Sequence, residues 1–384
     1  MKHFSHLNTA VQLAGQYKGE LPFSIFLKSF FAQHKKYGSR DRKIISHLCY
    51  CGFRLGKALQ HAAIEERILT GLFLCDQQPH ELLQHFKPGR NEHIHLAIEE
   101  KAAIAGISLT DIFPWKEELS AGIDHAGFCR SFLVQPDVFI RLRPGYEQAV
   151  KKKLQRASIG FKEINSHCLA VPTASKLHTV IDIDREAVIQ DMNSQQTGTF
   201  FGSRASVWDC CAASGGKSIL AHDLLPAIDL TVSDVRESII INLKQRFARA
   251  GIRNYRSFVA DLGTDNSSRN PVFRASSFDL IICDAPCSGS GTWSRTPEQL
   301  AFFNMASADH YAALQKRIAG NAITYLKKGG RLVYITCSVF KKENEDAVNF
   351  LTGNHAVELE DMQVLAGYTE KADTLFAASF IKTG

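Results

Sequence analysis

From Val180 onward, runs typical of strands alternate with runs typical of helices. The strand-like runs are ASVWDCCA, DLTVSDV, YRSFVADL, FDLIICDAP and GRLVYITCS, and helical stretches separate them. Such alternation is typical of a parallel sheet covered by helices on both faces, because parallel strands need long crossover connections. Residues 181–384 are therefore predicted to form a doubly wound, Rossmann-like α/β domain.

The chain ahead of this domain divides into two parts that differ in the spacing of their apolar residues. Residues 1–128 show apolar residues at helical spacing, as in FSIFLKSFFAQH, and few strand signals, which predicts an all-helical domain. Residues 129–180 combine short apolar runs with a basic helical stretch, YEQAVKKKLQRASI, which predicts a small α+β module. A chain of 384 residues is long enough for two or three domains with separate cores.

Basic residues concentrate in two blocks, although the net charge is only +6. Residues 1–60 carry ten Lys and Arg against two acidic residues. Residues 131–180 carry eight against three, with Lys151, Lys152 and Lys153 in a row. Two basic blocks on an otherwise mildly acidic chain favour contacts with a nucleic-acid backbone. Charge alone also permits the simpler interpretation of two solvated faces.

Apolar runs and cysteines bear on the cellular compartment. No run approaches the roughly 20 apolar residues that cross a bilayer, and the N-terminal segment lacks the apolar core of a secretory signal. The 10 cysteines are scattered, unlike the dense framework of a secreted disulfide scaffold. We predict a cytoplasmic monomer with reduced thiols and no membrane partner.

The stretch DCCAASGGKS, residues 209–218, admits three interpretations. Gly-Lys-Ser at residues 216–218 matches the end of a Walker phosphate loop, but Cys211 stands where that loop needs its first glycine. A dinucleotide fold needs the spacing Gly-x-Gly-x-x-Gly, which this stretch lacks. A zinc site needs a second close pair of ligands beside Cys210 and Cys211, and the neighbouring sequence supplies none. We therefore predict no metal here.

What remains is a turn of small residues between a strand that ends at Asp209 and a helix that opens at Gly-Gly. Doubly wound sheets bind ligands at this edge, and small side chains let a ligand approach the backbone. Later strands end in Asp234, Asp261 and Asp284. Asp234 is suited to a ribose diol and Asp261 to an adenine amine, which favours an adenosine derivative with a charged amino-acid end. A single acid at such a position is more often a cap or turn residue.

Two cysteines follow the ends of neighbouring predicted strands, Cys287 in CDAPCSGSG and Cys337 in YITCS. A free cysteine is usually a small buried hydrophobic residue, as we expect of Cys283. Two thiols at a ligand-binding edge suit methylation at carbon 5 of a pyrimidine, which becomes nucleophilic only after a thiolate adds at carbon 6. A second group could then act as base, and Asp284 could hydrogen-bond a cytosine. Strand position alone leaves either thiol as the nucleophile.

At these residues the sequence resembles the bacterial Fmu/Sun family of RNA (cytosine-5)-methyltransferases. The resemblance is strongest from Gln190 to Val348, over IQDMNSQQTG, DCCAASGGKS, DAPCSGSGTWSRTPE and TCSVFKKENEDAV. The last two, a Pro-Cys and a Thr-Cys motif, are highly specific together. More loosely, GSRDRKIISHLCYCGFRLGKAL is similar to part of a NusB-like helical domain, and DVFIRLRPG to the start of an RRM-like module.

The resemblance implies an enzyme that transfers a methyl group from S-adenosylmethionine to carbon 5 of a cytosine in RNA. Ribosomal RNA is the favoured substrate and transfer RNA the alternative. The resemblance makes Cys337 the nucleophile and Cys287 the residue that assists release, with Asp284 beside them. The implied cofactor-binding residues are Cys211, Ala212, Ala213, Ser214, Gly215, Gly216, Lys217, Asp234, Asp261 and Asp284.

The resemblance also implies three domains. These are a NusB-like RNA-binding domain at residues 1–128, an RRM-like module at residues 129–180 and a class I methyltransferase domain at residues 181–384. The sequence departs from the family at Ser214, where proline is usual, and in the C-terminal DTLFAASFIKTG, which lacks the usual Gly-Phe-Phe.

Two other functions compete with this interpretation. A methyltransferase acting on nitrogen or oxygen would share the cofactor turn and the acids but would need no nucleophilic thiol. A non-catalytic RNA-binding ribosome-assembly factor with a relic pocket would be expected to have lost a cysteine or a cofactor acid. This chain retains all of them.

Overall fold

The computed structural model describes residues 2–203, 205–225, 227–264 and 275–384, which fall into two compact units. The first, here called the helical unit, comprises Met1–Leu119, Asp124–Gln135 and Thr292–Asn304. The second, the sheet unit, comprises Ser120–Ile123, Pro136–Gly291 and Met305–Gly384. The segment DAPCSGSGTWSRTPE is thus divided between the units after Gly291. The domain boundaries proposed at residues 128 and 180 stay predictions.

The helical unit contains helices and short 3-10 turns over its described residues. Numbered in chain order, its helices are α1 (Lys2–Gln16), α2 (Phe23–Gln33), α3 (Ser39–Arg54), α4 (Ile64–Cys75), α5 (Glu81–Phe86), α6 (Pro88–Glu92), α7 (Ile98–Ala105), α8 (His125–Ser131) and α13 (Pro297–Phe302). In α1, Leu7, Ala10 and Leu13 are buried at helical spacing. Helices α3 and α4 meet at Gly71, where a Cβ would lie 2.0 Å from the Cys51 carbonyl oxygen. Only glycine allows this close crossing.

A small antiparallel sheet begins the sheet unit. Its strands are β1 (Val138–Leu142), β2 (Lys162–Asn165), β3 (Cys168–Val171) and β4 (Ala187–Ile189), in the order β2-β3-β1-β4, with helix α9 (Glu147–Arg156) between β1 and β2 in the chain. Val150 and Leu154 of α9 pack in one apolar cluster with Ile140, Leu142 and Leu169 from the strands. The alternating apolar runs of this region thus form a sheet with a helix on its core face.

The main sheet of the unit has seven strands and follows the predicted alternation. They are β5 (Ser206–Asp209), β6 (Asp229–Asp234), β7 (Tyr255–Val259), β8 (Phe278–Asp284), β9 (Leu326–Thr336), β10 (Val357–Leu365) and β11 (Leu375–Lys382), in the order β10-β11-β9-β8-β5-β6-β7. Strands β5 to β9 pair in parallel, and β11 pairs antiparallel to β9 and β10. In the C-terminal segment without Gly-Phe-Phe, Phe376 and Phe380 of β11 are buried.

Helices cover both faces of the main sheet. They are α11 (Gly216–Leu224), α12 (Glu237–Ala250), α14 (Met305–Ile323) and α15 (Glu345–Asn354), and the short helix α10 (Met192–Gln196) precedes β5 in the chain. Residues of α11 and α12 share one apolar cluster with the strands, and residues of α14 and α15 share the other. The predicted doubly wound, Rossmann-like class I methyltransferase fold is confirmed.

None of the described helices is long and apolar enough to cross a membrane.

Candidate active site

The carboxyl edge of the seven-stranded sheet carries the polar residues predicted to bind a ligand. Strands β5, β6 and β8 end at Asp209, Asp234 and Asp284. Because β5 lies between β6 and β8, the strand order reverses at β5. In doubly wound sheets, ligands bind outside the strand ends at this switch point. The turn after β5 therefore lies where a ligand is expected.

That turn, residues 211–217, is tightly folded. Ala213 has φ 44° and Gly215 has φ 84°, both in the left-handed region. A Cβ at Gly215 would lie 2.8 Å from the Phe247 ring, so both conformation and space require glycine there. Helix α11 begins at Gly216, as the Gly-Gly predicts.

Ser214, which stands where the family usually has proline, is hydrogen-bonded to an arginine side chain. Its carbonyl oxygen and Oγ accept hydrogen bonds from Arg246 Nη1 at 3.1 and 3.0 Å. Arg246 belongs to α12, so these bonds tie the turn to that helix. The Oγ bond replaces some of the rigidity that proline would supply.

A cleft of about 370 Å³ lies beside the turn, within the size range of small-ligand pockets. It is lined by Cys210, Cys211, Ala213, Asp234, Val235, Arg236, Ala260, Asp261, Leu262, Asp284, Pro286, Leu314 and Ile318. The predicted cofactor acids thus share one cleft. Within the predicted turn, Ala212, Gly215 and Lys217 are buried.

Asp234 is the most strongly bound acid in the cleft. Its carboxylate accepts hydrogen bonds from the backbone N–H groups of Ala213 and Arg236, at 3.1 and 3.0 Å. The Arg236 guanidinium also donates to it at 3.0 and 3.2 Å, and this bond raises the pKa of Arg236. Arg236 was not predicted from the sequence, although its position two residues after a strand-end acid was an available signal.

Asp261 and Asp284 occupy the cleft differently. Asp261 is exposed, and its Oδ1 accepts from the Gly263 N–H at 2.8 Å. Asp284 pairs at 3.0 Å with the buried Lys217 Nζ, which also donates to Ser194 Oγ at 2.8 Å. Ser194 belongs to IQDMNSQQTG, a segment identified in the sequence without a role for this residue.

Asp209 is fully buried, unlike these three acids. Its Oδ2 accepts from Ser218 Oγ at 2.5 Å, whereas Oδ1 has no hydrogen-bond partner among the residues that the structure describes. Burial raises the pKa of this carboxyl to about 7, since the charged form loses its hydration. Asp209 thus ends β5 as a structural carboxyl and does not line the cleft.

The two predicted catalytic cysteines contact each other. Cys287 Sγ and Cys337 Sγ lie 3.3 Å apart, and both side chains are half-buried. The hydrogen bond with Cys337 and, to a lesser extent, burial raise the pKa of Cys287 well above its ordinary value. A raised pKa keeps Cys287 protonated at neutral pH, so its S–H can donate to the Cys337 sulfur.

Backbone contacts fix the two cysteine loops against each other. The Gly291 N–H donates to the Cys337 carbonyl at 2.9 Å, and the Gly291 carbonyl accepts from the Thr374 N–H at 2.9 Å. A Cβ on Gly291 would lie 1.9 Å from the Thr374 oxygen. Only glycine fits here, so the Pro-Cys loop can close onto the Thr-Cys loop.

A buried carboxylate, Glu343, lies behind the cysteine loops. Its Oε2 accepts from the Ser288 N–H at 2.8 Å and from Gln315 Nε2 at 2.9 Å, and its Oε1 accepts from Ser338 Oγ at 2.7 Å. Ser288 and Ser338 each follow one of the two cysteines in the chain. Glu343 therefore links both loops, a role that the sequence analysis did not assign within TCSVFKKENEDAV.

A second group of thiols lies beneath the cofactor turn. The sulfurs of Cys210, Cys211 and Cys283 all lie within 4.8 Å of one another. Cys283 and Cys210 are buried, as we expected of Cys283. The sequence showed no second pair near Cys210, but pairing of β5 with β8 brings Cys283 close.

Several cations of the two basic blocks form ion pairs or internal hydrogen bonds. Lys151 pairs with Glu163, and Lys153 pairs with Glu186 at 2.7 Å. Arg141 and Arg143 are buried, and both pair with Asp223 at 2.6 Å. Exposed cations in the blocks are Lys18, Lys28, Lys35, Lys36, Arg40, Lys43, Lys152, Arg156, Lys162 and Lys176. Only part of each block is thus available to a phosphate backbone.

Most of the sheet unit matches a known protein family. A family model described as 16S rRNA methyltransferase RsmB/F matches residues 202–378. This match spans the cofactor turn and both cysteine motifs, and over these residues it confirms the family resemblance predicted from them. The NusB-like character of residues 1–128 stays a prediction.

Two relatives show the extent of the likeness. Ribosomal RNA small subunit methyltransferase B of Shewanella oneidensis is 29% identical over 169 residues, which are 44% of this chain and 38% of that protein. The tRNA (cytosine(72)-C(5))-methyltransferase NSUN6 of Mus musculus is 34% identical over 155 residues, 37% of this chain and 31% of that protein. The chain thus spans less than two fifths of the length of these two curated relatives.

Two solved structures share the fold. The crystal structure of PH0851 has a TM-score of 0.69 at 18% identity and covers 97% of this chain and 97% of its own. The crystal structure of NSun6 from Pyrococcus horikoshii has a TM-score of 0.60 at 14% identity, covering 72% of this chain and 97% of its own. At these identities the likeness shows the fold.

Proposed function

From the RsmB/F match over residues 202–378, we propose that this protein transfers a methyl group from S-adenosylmethionine to carbon 5 of a cytosine in RNA. Ribosomal RNA is the favoured substrate, since the matching family model and the Shewanella relative are named for ribosomal RNA. Transfer RNA is the second choice, because NSUN6 is named for it.

The contact between Cys287 and Cys337, 3.3 Å apart at the carboxyl edge of neighbouring strands, carries this proposal. Methyl transfer to a nitrogen or oxygen needs no thiol, whereas carbon 5 of cytosine needs one thiolate to activate the ring and a second group to restore it. Two half-exposed thiols in contact could supply both groups, one to activate the ring and one to help restore it.

The cleft fits the cofactor. Asp234 presents a carboxylate suited to a ribose diol, and Asp261 presents one suited to an adenine amine. Arg236 would have to share Asp234 with the ribose, because its guanidinium holds that carboxylate now. When bound, S-adenosylmethionine supplies the electrophilic methyl group.

Cys337 is assigned the nucleophilic role. Its thiolate adds at carbon 6 of cytosine, forming the S–C6 bond and moving electron density to carbon 5. The Cys287 S–H can donate a hydrogen bond to the Cys337 sulfur, in line with the raised pKa of Cys287. After carbon 5 has gained its methyl group, loss of the carbon-5 proton to a base expels the Cys337 thiolate. Cys287 assists this release.

Asp284 is assigned to recognition of the base. Its carboxylate can accept a hydrogen bond from the exocyclic amine of cytosine, and Lys217 fixes its position through the 3.0 Å ion pair. Glu343 positions both cysteine loops through its bonds near Ser288 and Ser338. Exposed lysines and arginines of the basic blocks supply contacts to the RNA backbone.

Separate alanine variants of the two cysteines test the proposal. With ribosomal RNA from a strain lacking the gene, Cys337→Ala should lose methylation by on the order of 10³-fold or more and form no covalent RNA complex. Cys287→Ala should accumulate a protein–RNA adduct stable in denaturing gels, because attack proceeds and release fails. Bisulfite sequencing of the same RNA would identify the cytosine.

A control and three outcomes make this test decisive. Cys129→Ser, a buried thiol of the helical unit, should retain wild-type methylation. Adduct accumulation by Cys337→Ala instead of Cys287→Ala would exchange the two roles. Unchanged methylation in both alanine variants would refute carbon-5 chemistry. A wild-type protein that binds RNA but methylates neither ribosomal nor transfer RNA would support the ribosome-assembly alternative.

A further inference from the structure

A mixed cluster of nitrogen, sulfur and oxygen ligands lies in the helical unit, where the proposed reaction has no role for it. His47 and Cys51 stand one turn apart on α3, and Asp76 follows the end of α4. One potential ligand atom from each of the three lies within 4.8 Å of the others. Cys75, the last residue of α4, directly precedes Asp76 in the chain.

We propose that His47, Cys51 and Asp76 bind one divalent d-block cation of the zinc type, clamping α3 to the end of α4. The three residues, here called the α3–α4 cluster, offer an imidazole, a thiolate and a carboxylate. Zinc accepts three such protein ligands with its fourth position left to water, and a soft thiolate favours it over magnesium or calcium.

The separations between ligand atoms suit a tetrahedral ion. His47 Nε2 lies 3.0 Å from Asp76 Oδ1 and 3.6 Å from Cys51 Sγ. Ligands of tetrahedral zinc, with bonds of about 2.0 to 2.3 Å, lie roughly 3.3 to 3.8 Å from one another. Small side-chain adjustments would therefore admit an ion among these atoms without moving either helix.

Metal binding uses the thiolate form of cysteine, so binding would release the thiol proton of Cys51.

The backbone around the cluster is held in place, and solvent can reach the ligands. The fully buried Lys101 donates from Nζ to the carbonyl oxygens of Leu74 and Asp76, at 3.1 and 2.8 Å, which fixes the end of α4. The side chains of His47 and Asp76 are 49% and 25% exposed, so an ion can enter. Ligands fixed before binding lose little conformational entropy when the ion arrives.

A hydrogen-bonded His–Asp pair alone would account for His47 and Asp76, but it makes no use of the Cys51 thiol. Cysteine variants therefore separate a metal site from an ordinary ion pair. The three thiols at Cys210, Cys211 and Cys283 form the competing metal-binding candidate, and they need their own variant.

The test is a titration of the chelator-treated, full-length protein with Co²⁺, whose charge-transfer absorption reports thiolate ligands. Wild-type protein should bind one equivalent, and Zn²⁺ should displace it and raise the unfolding temperature. Cys51→Ser should weaken binding by more than about 100-fold, since even residues outside the metal's ligand shell cost 10- to 100-fold. Cys49→Ser is the matched control, because Cys49 lies on the same helix outside the cluster.

If the Cys51→Ser variant does not fold, other variants can still test the proposal. If circular dichroism shows that Cys51→Ser is unfolded, His47→Asn and Asp76→Asn should lose the absorption instead, because both side chains are partly exposed. Folded Cys51→Ser protein that keeps the wild-type absorption would overturn the proposal. So would loss of the absorption in Cys283→Ser, or wild-type protein that gives no thiolate absorption with Co²⁺.

Discussion

Two groups of cysteines lie at the carboxyl edge of the main sheet, and their surroundings differ. Cys287 and Cys337 are half-buried and contact each other, with the polar Glu343 behind their loops. Cys210 and Cys283 are buried among apolar residues of the α14 and α15 face. A thiol in an apolar core packs as a small hydrophobic residue, whereas a thiol with polar support and access to solvent can react.

The comparison shows that position at a strand end does not decide whether a cysteine reacts. Cys283 and Cys287 are four residues apart in the chain, on either side of Asp284. Cys283 is still inside β8, where its side chain packs into the sheet. Cys287 lies in the loop, which bends back onto the Thr-Cys loop through Gly291. Loop geometry creates the reactive pair.

The largest expected effect is a contrast between two alanine variants, one from each group of cysteines. One variant should lose activity and keep its stability, and the other should keep activity and lose stability. Cys337→Ala should lose methylation by about 10³-fold or more with little change in the free energy of unfolding. Cys283→Ala should keep methylation and lose about 1–2 kcal/mol of unfolding free energy, since it leaves a small cavity. Single-turnover methylation and urea unfolding measure the two effects. Equal activity loss in both variants would abolish the distinction.

Removing the polar support behind the reactive pair should have the next largest effect. In Glu343→Gln, an amide NH₂ group replaces one of the carboxylate oxygens that accept hydrogen bonds from Ser288, Ser338 and Gln315. A donor then meets a donor, so the loops should shift. We expect kcat to fall about 100-fold, the effect of misplacing reacting groups by about 1 Å, with unchanged cofactor affinity. Glu345→Gln is the matched control, because that side chain bonds to Ser120. A variant that binds the cofactor poorly would show a general structural defect instead.

The third test concerns Asp209, directly ahead of the buried thiols. Its pKa is raised from 3.8 to about 7, so the folded protein binds a proton that the unfolded chain has lost between these values. Its contribution to stability is full below pH 4 and falls as pH rises toward 7. Between pH 5 and 6.5, wild type should lose about 1–2 kcal/mol relative to Asp209→Asn, the slope being at most about 1.4 kcal/mol per pH unit.

Urea unfolding of both proteins across this range measures that difference. Other titrating groups change the stability of both proteins alike, so the comparison isolates Asp209. Parallel pH profiles would mean that Asp209 is already ionised in the folded protein. Wild-type stability that rises relative to the variant would reverse the sign of the proposed shift.

The smallest expected effect is on cofactor affinity. Asp234→Ala removes a carboxylate acceptor for the ribose and should weaken S-adenosylmethionine binding about tenfold, or roughly 1.5 kcal/mol. Asp261→Ala should weaken it less, because that side chain is exposed to water. Calorimetry of both variants provides the comparison. Unchanged affinity in Asp234→Ala would remove this residue from the site and leave Arg236 as its main partner.

Much of the fold was predictable because its signals are local. Strand-like and helical runs alternate along the chain, and a parallel sheet with covering helices is the usual way to bury them. Gly215 and the Gly-Gly marked the turn and the start of α11, since few residues other than glycine adopt a positive φ easily. Asp234 and Asp284 at strand ends, and Asp261 two residues after β7, were likewise visible, because parallel strands end at one edge of the sheet.

Contacts between residues distant in the sequence could not be predicted. Lys151 and Lys153 looked like phosphate ligands, but Glu163 and Glu186 pair with them. Asp209 looked like the other strand-end acids, yet the structure buries it completely. Charge and residue type are properties of the chain, whereas burial and pairing depend on which elements pack together.

The sequence by itself determined the order of strands and helices, the conformation of the cofactor turn and the residue types available for chemistry. Tertiary structure decided which of ten cysteines are in contact. It set Cys337 against Cys287 across 50 residues of chain, and brought His47 and Cys51 to Asp76 across the α3–α4 crossing at Gly71. The physical reason is range: backbone preferences act over a few residues, whereas thiol contacts and pKa shifts act through space.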